Sequence, residues 1–290
     1  MSLTLIFNKK VLRAFFYLAA IICFQNVKAC EYVAHAGGGI AGKTYTNSIE
    51  AIANSYNRGF RLIEVDFSPS SEGDWFCLHD LSEVEIGRGE SWLIKTVDRF
   101  LLQFISKHYD HEWLVHGLIA KTERIKSWIE AEAESTGFHH CTLPEVAAFA
   151  QANPDVYVIT DTKYWNKRLL ISLSSLGRDF FIPQVYSVDE FFFAKSLGFE
   201  KIIYSLYKEK GYDGVTKLLD YPQLYAITIP VSWYLSDLQS DFNPYQGLSK
   251  YSGRLFVHTL NECFHFSEPK PTGIYTDWLL PGSLPLDTCR

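Results

Sequence analysis

No internal repeat, low-complexity stretch or block of like charge interrupts the chain, so nothing in it marks a linker, a tail or a repeat architecture. Basic residues are too few for a positive balance: 27 Lys and Arg stand against 33 Asp and Glu, a formal charge of −6. A protein of that sign does not bind nucleic acid or an anionic membrane surface by bulk electrostatics, so an anionic ligand must be met by local charge. No apolar run is long enough for a comfortable membrane span either. The nearest, Ala14 to Phe24, follows Lys9, Lys10 and Arg13 and leads to Val27-Lys28-Ala29, the order of a secretory signal peptide cut after Ala29. Residues 1–29 are therefore expected to leave, and residues 30–290 to be exported, periplasmic or secreted. A lipid on Cys30 or an uncleaved signal anchor is the weaker alternative. The cut removes four basic residues and no acidic one, moving the formal charge from −6 to −10.

Zinc-ligand spacing is missing from the six cysteines. Cys23 would leave with the leader. Cys30, Cys77, Cys141, Cys263 and Cys289 would meet an oxidising compartment, and their odd number leaves at least one thiol over. Cys77 lies two residues before His79 in an apolar run and is expected to pack inward as a small apolar side chain. Cys30 with Cys289 would clasp the termini, although spacing does not fix connectivity. His108, His111 and His116 have no acidic or thiol partner at ligand spacing and read as solvated histidines. What the chain does have is apolar and aromatic residues, 47% and 16% of 290 positions, enough for the core of one barrel-sized domain.

Strand-like runs fall at 32–36, 61–67, 75–79, 156–161, 180–186, 200–204, 224–230, 254–259 and 273–277, several apolar throughout, as strands buried on both faces should be. Helical spacing covers 47–57, 143–152 (with Thr142 and Glu145 as a capping box), 189–196 and 214–219. The alternation predicts an α/β fold, a (β/α)8 TIM barrel, as a single domain with an insertion after the third strand. That insertion, 81–140, has helical segments at 97–105 and 123–134 and is expected at the barrel mouth. Nine runs for eight places make one of 224–230 and 254–259 the expected surplus.

Three runs end in chemically useful side chains: Y-V-A-H-A-G-G-G from Tyr32, L-I-E-V-D-F from Leu62 and W-F-C-L-H-D from Trp75. Glu64 and Asp66, two apart on a strand, point to the same side, where a divalent cation would find oxygen ligands. His35 and His79 end what read as neighbouring strands and would flank the same spot as an acid and a base. The set suggests metal-assisted phosphoryl chemistry.

In chain order, His35-Ala-Gly, Thr46-Asn-Ser, Glu64-Val-Asp66, His79-Asp80, Thr142-Leu-Pro-Glu145, Asp161-Thr-Lys163, His258-Thr-Leu-Asn261 and Gly273-Ile-Tyr-Thr-Asp277 stand where another family has H-R-G, E-N-T, E-x-D, H-D, P-T-L-E-E, E-x-K, W-T-V-N and G-I-x-T-D. On these runs, spanning 32 to about 280, the chain resembles the glycerophosphodiester phosphodiesterase family, within the phosphatidylinositol-phospholipase-C-like TIM-barrel phosphodiesterases. The resemblance implies catalysis by His35 and His79. It also implies a divalent cation, Ca2+ or Mg2+, held by Glu64, Asp66 and Asp161. Asp161 replaces a Glu, as in the related sphingomyelinase-D-like phospholipases, and Lys163 would meet the phosphate. Ala36 replaces the Arg of H-R-G, so either Lys163 and the cation suffice or Lys43 or Arg88 is expected to supply the missing charge. His258 stands in place of Trp, as a substrate contact or a filler of the barrel mouth; Asp80 orients His79 or its loop, Asn47 holds the first loop or touches substrate, and Asp277 is structural. The implied partner is a small-molecule or lipid phosphodiester, with transient membrane contact and no nucleic acid. Phospholipase D- or C-like cleavage of intact lipid and a catalytically silent binding barrel are the alternatives.

Overall fold

Alternation along Leu62-Ile-Glu-Val-Asp66 contains the plan of the whole molecule: every second side chain points into a barrel and the others point at helices. The computed structural model describes residues 30–81, 84, 121–164, 166–207, 213–237, 253–262 and 271–281. The first part comprises β1 (Glu31–Ala34), α1 (Ile49–Asn57), β2 (Leu62–Asp66), β3 (Ser68–Pro69) and β4 (Trp75–Phe76). Then come α2 (Thr122–Thr136), α3 (Leu143–Ala152), β5 (Tyr157–Asp161), α4 (Asn166–Leu176), β6 (Phe181–Val185) and α5 (Val188–Ser196). The last part is β7 (Ile202–Ser205), α6 (Asp213–Thr216), β8 (Leu224–Pro230), α7 (Val231–Asp237), β9 (Leu255–His258) and β10 (Gly273–Thr276). Eight strands close a parallel barrel in the order β1-β10-β9-β8-β7-β6-β5-β2.

Each barrel strand sends one apolar side chain to a common interior layer: Val33, Leu62, Ile159, Ile182, Ile203, Ala226, Phe256 and Tyr275. Burial of each large apolar member contributes about 1.5–3 kcal/mol. Outward-facing neighbours such as Ile63, Val65, Val158 and Val257 join the larger core beneath the helices. Two residues past the interior layer, all eight chain positions are polar: His35, Glu64, Asp161, Gln184, Ser205, Thr228, His258 and Asp277. The same period of two therefore plugs the barrel and then furnishes its C-terminal end with chemistry.

Two expectations change. Both 224–230 and 254–259 supply barrel strands, β8 and β9, and the surplus run is 75–79. Its β4 pairs antiparallel with β3 as a separate hairpin, Ser68 opposite Phe76 and Pro69 opposite Trp75. The physical reason is length: a parallel return needs a crossover of about a dozen residues, more than separate Asp66 from Trp75. The insertion thus follows the second barrel strand and this hairpin; within it, α2 is described, whereas 97–105 and His108, His111 and His116 lie outside the described residues. Helix α1 starts at Ile49 rather than at 47, because the Ser48 hydroxyl caps it by accepting from the Ala51 N–H at 3.1 Å. Asn47 before it takes a left-handed φ of 43°.

Candidate active site

Beyond Ala34 at the end of β1, the chain makes a single 3-10 turn, His35–Gly37, that turns His35 over the barrel mouth. His35 Nδ1 donates to Asp277 Oδ1 at 3.0 Å, with both side chains buried. Asp277 is held in turn by the Asn261 amide, which donates to Oδ2 at 2.6 Å and accepts the Asp277 N–H at 2.7 Å. Asp277, expected to be structural, is therefore the group that orients His35. With Nδ1 committed as donor, the neutral ring presents the lone pair of Nε2. The glycines that follow serve the turn: the Gly38 N–H bonds to His35 O and the Gly39 N–H to Asp277 O. A Cβ on Gly38 would meet Ser55, and one on Gly39 would meet the Trp278 ring.

The three expected carboxylates converge. Ligand oxygens of Glu64, Asp66 and Asp161 lie within 4.8 Å of one another. The protein holds each of them by hydrogen bonds. Glu64 Oε2 accepts the Ala36 N–H at 2.7 Å, Asp66 Oδ2 accepts Asn47 Nδ2 at 3.0 Å, and Asp161 Oδ1 accepts the Thr162 N–H at 2.6 Å and the Tyr186 hydroxyl. Asn47 also accepts the Asp66 N–H at 3.0 Å, so it clamps the strand end as well as the carboxylate. A chain of donors crosses the interior to Asp161: Tyr275 hydroxyl to Gln184 Oε1, Gln184 Nε2 to Tyr186 hydroxyl, Tyr186 hydroxyl to Asp161. Burial, then the charges of Asp66 and Asp161, pushes the Glu64 carboxyl well above the usual range, against the Ala36 N–H bond. Three hard oxygen donors in mutual repulsion fit a hard divalent cation. The shorter Asp161 is no obstacle, since its oxygen already lies within that set.

Opposite His35 stands His79, in the loop after β4. Lys163 Nζ is 3.2 Å from His79 Nδ1 and donates to Asp80 Oδ2 at 3.2 Å, while the Tyr164 hydroxyl donates to Asp80 Oδ1. An ammonium only donates, so His79 Nδ1 is the acceptor and the neutral ring carries its proton on Nε2. The two histidines are thus held in opposite tautomers. Lys163 bridges Asp80 and His79.

His35, Glu64, Asp66, His79, Asp161 and Lys163 line one cavity of about 260 Å³ with Tyr45, Gln184, Tyr186, Tyr207, His258, Thr259 and Tyr275. Lys163 is the one Lys or Arg among the described residues lining it. Lys43 is elsewhere, exposed, with its ammonium over the Phe138 ring at 5.7 Å and facing a different cavity. Arg88 lies outside the described residues. Tyr45 escaped the sequence reading: its ring packs edge-on between His35 and His79, at centroid distances of 4.5 and 5.4 Å. Nothing in its loop has a period that would have singled it out, whereas Gln184 and Tyr186 follow from the alternation along β6.

His258 packs between Tyr207 and Tyr275, with Nδ1 3.4 Å from the Tyr207 hydroxyl and Nε2 enclosed without a hydrogen-bond partner. Burial, then the charge of His35, lowers its pKa to about 3, so it offers the site no positive charge at neutral pH. A folded value below the unfolded one, about 6.5, means stability that is full above that pH and lost as pH falls towards the folded value. Between pH 7 and 5 the wild type is expected to lose about 2 kcal/mol more than His258→Gln in urea unfolding. Equal losses would remove His258 as the titrating group.

The cysteine expectation is corrected here: Cys77 and Cys141 form a disulfide, with Cα atoms 5.0 Å apart. Their 64-residue separation gave no cue, whereas apolar flanks made Cys77 read as a packed thiol. Cys30 is a free, half-buried thiol, pushed up to about 12 by burial and Glu31; Cys289, its expected partner, lies outside the described residues.

The chain matches no protein-family model and no curated protein sequence. Solved structures do resemble it. A glycerophosphodiester phosphodiesterase from Thermotoga maritima aligns over 86% of this chain and 94% of its own, at 15% identity and a TM-score of 0.56. A glycerophosphoryl diester phosphodiesterase from Parabacteroides distasonis aligns over 90% and 85%, at 11% identity and 0.54. A phosphodiesterase from Oleispira antarctica, in complex with its product sn-glycerol-3-phosphate, aligns over 86% and 94%, at 13% identity and 0.53. At such identities the likeness is one of fold: this chain shares its barrel with those three enzymes.

Proposed function

We propose that the chain is an exported phosphodiesterase, dependent on a divalent cation (Ca2+ or Mg2+), that hydrolyses glycerophosphodiesters or related phospholipid head groups. One observation carries the reading: Glu64, Asp66 and Asp161 meet beside two histidines in opposite tautomers, at the C-terminal end of a barrel shared with such enzymes. A bound cation would neutralise phosphate charge and polarise the phosphoryl oxygens. His35 Nε2 takes the proton of the attacking hydroxyl, either water or a hydroxyl of the substrate that closes a cyclic phosphate first. His79 Nε2–H gives its proton to the leaving oxygen as the P–O bond breaks. Lys163 replaces that proton at Nδ1, so the ring never becomes an anion. Asp277 holds His35 aimed while it carries the extra proton.

Export is supported by the order of charge, apolar run and small residues over 9–29 and by a disulfide between two buried cysteines, which needs an oxidising compartment. A second reading, cleavage of the intact phospholipid, is favoured by Tyr45 and Tyr207, 45% and 47% exposed among the cavity's lining residues, where amphipathic rings can meet a lipid surface. A panel of glycerophosphodiesters and whole phospholipids, each with Ca2+ or Mg2+, separates the two. Turnover of the deacylated diesters is the expected result; preference for intact lipid would favour the second reading, and inertness towards both would leave a silent barrel.

A further inference from the structure

The hairpin carrying His79 is poorly secured by its own ladder. β3 and β4 have two residues each, and His79 lies three residues beyond the end of β4. Cys77 sits between β4 and His79, fully buried, and its N–H donates to Cys141 O at 2.6 Å. The segment around Cys141 also reaches the other half of the site. The Cys141 N–H donates to Asn47 O at 3.3 Å, and Asn47 clamps Asp66 from two directions. Isolated antiparallel bridges, Ser48 with His140 and Phe76 with Thr142, flank the bond on both sides. His140 Nδ1 adds a bond to Cys77 O at 2.9 Å. Neither cysteine belongs to a barrel strand.

We propose that the Cys77–Cys141 disulfide is a positioning device for catalysis, tying the His79 loop to the Asn47–Asp66 clamp so that an acid and a cation ligand are held in one geometry from outside the barrel. It rests on the phosphodiesterase reading for the role of His79, and on the acidic triad alone for the cation. Without the bond, the hairpin end and residues 139–142 are joined by a few backbone hydrogen bonds and the His140 imidazole, while every barrel pairing is untouched. Displacing a catalytic group by about 1 Å costs about 10²-fold in rate, and losing support behind a metal ligand costs about 10–100-fold in affinity.

The test compares the oxidised full chain with the same protein after phosphine reduction and with the Cys77→Ala/Cys141→Ala double variant. Three quantities are read: kcat and KM on a glycerophosphodiester, Mn2+ affinity of the chelated protein by electron paramagnetic resonance, and far-UV circular dichroism. Breaking the bond should lower kcat about 10²-fold with a smaller change in KM, weaken Mn2+ binding about tenfold and leave the dichroism unchanged. Reoxidation of the reduced protein should restore both functions. Unchanged kcat and Mn2+ affinity overturn the proposal, as does general loss of secondary structure in the reduced wild type, which would make the bond a staple of the fold. If the oxidised chain cleaves no diester, the phosphodiesterase reading fails, while the Mn2+ measurement still decides whether the bond positions the acidic site.

Discussion

Exhaustive chelation is expected to abolish turnover, and Glu64→Gln to raise the cation concentration needed to restore it, without unfolding the barrel. Three carboxylates within 4.8 Å repel one another by about 3–4 kcal/mol per fully charged pair at an effective dielectric constant of about 20. Burial adds to the penalty on Glu64, and a divalent cation relieves both. Gln keeps the shape and can still accept the Ala36 N–H through its amide oxygen, so the loss falls on the cation rather than on packing. Adding Ca2+ or Mg2+ to the chelated protein should also raise its melting temperature, with a stabilisation of about 2.7 kcal/mol at a hundred times the dissociation constant. Full activity after chelation would take the cation out of the mechanism.

His35→Ala and His79→Ala should each cost about 10²–10⁴ in kcat, and the double variant should be no worse than either. That non-additivity follows from the proposed roles: if one histidine accepts a proton while the other donates, neither half-reaction proceeds far alone. The wild-type pH–rate profile should be bell-shaped, and Asp277→Asn should depress the rate while leaving KM close to its original value, because Asp277 bonds to His35 but does not itself line the cavity. Near-normal rates for both single variants would refute the pair.

Residues with a period were legible in the sequence, and residues without one were not. The barrel strands carry the interior alternation openly, and Glu64, Asp66 and Asp161 stand where it puts them, as do His258 and Asp277. The 75–79 run has the same composition as a barrel strand, and what distinguishes it is the short connection before it, a property of the path rather than of its residues. The sequence suggested that Lys163 meets the phosphate; its contacts to His79 and Asp80 depend on how a loop returns across 84 and 83 residues. Tyr45 and the Asn47–Asp66 clamp arise from a loop with left-handed residues at Ala41, Tyr45 and Asn47, a conformation that these side chains do not announce. Disulfide pairing was out of reach for the reason that applies to any set of cysteines, since spacing does not encode proximity.

The eight apolar side chains inside the barrel also decide traffic. They seal the interior below the polar layer, so the carboxylates are reached from the mouth rather than through the barrel axis. On the proposed reading, cation, diester, water and product would share the cavity that His35, His79, Tyr45 and Tyr207 help to line. On that reading, a diester seated there would cover a cation held by Glu64, Asp66 and Asp161, so the ion would load first and exchange after the product leaves. A slowly released inhibitor would therefore act as a stopper, holding its cation beneath it for its own residence time.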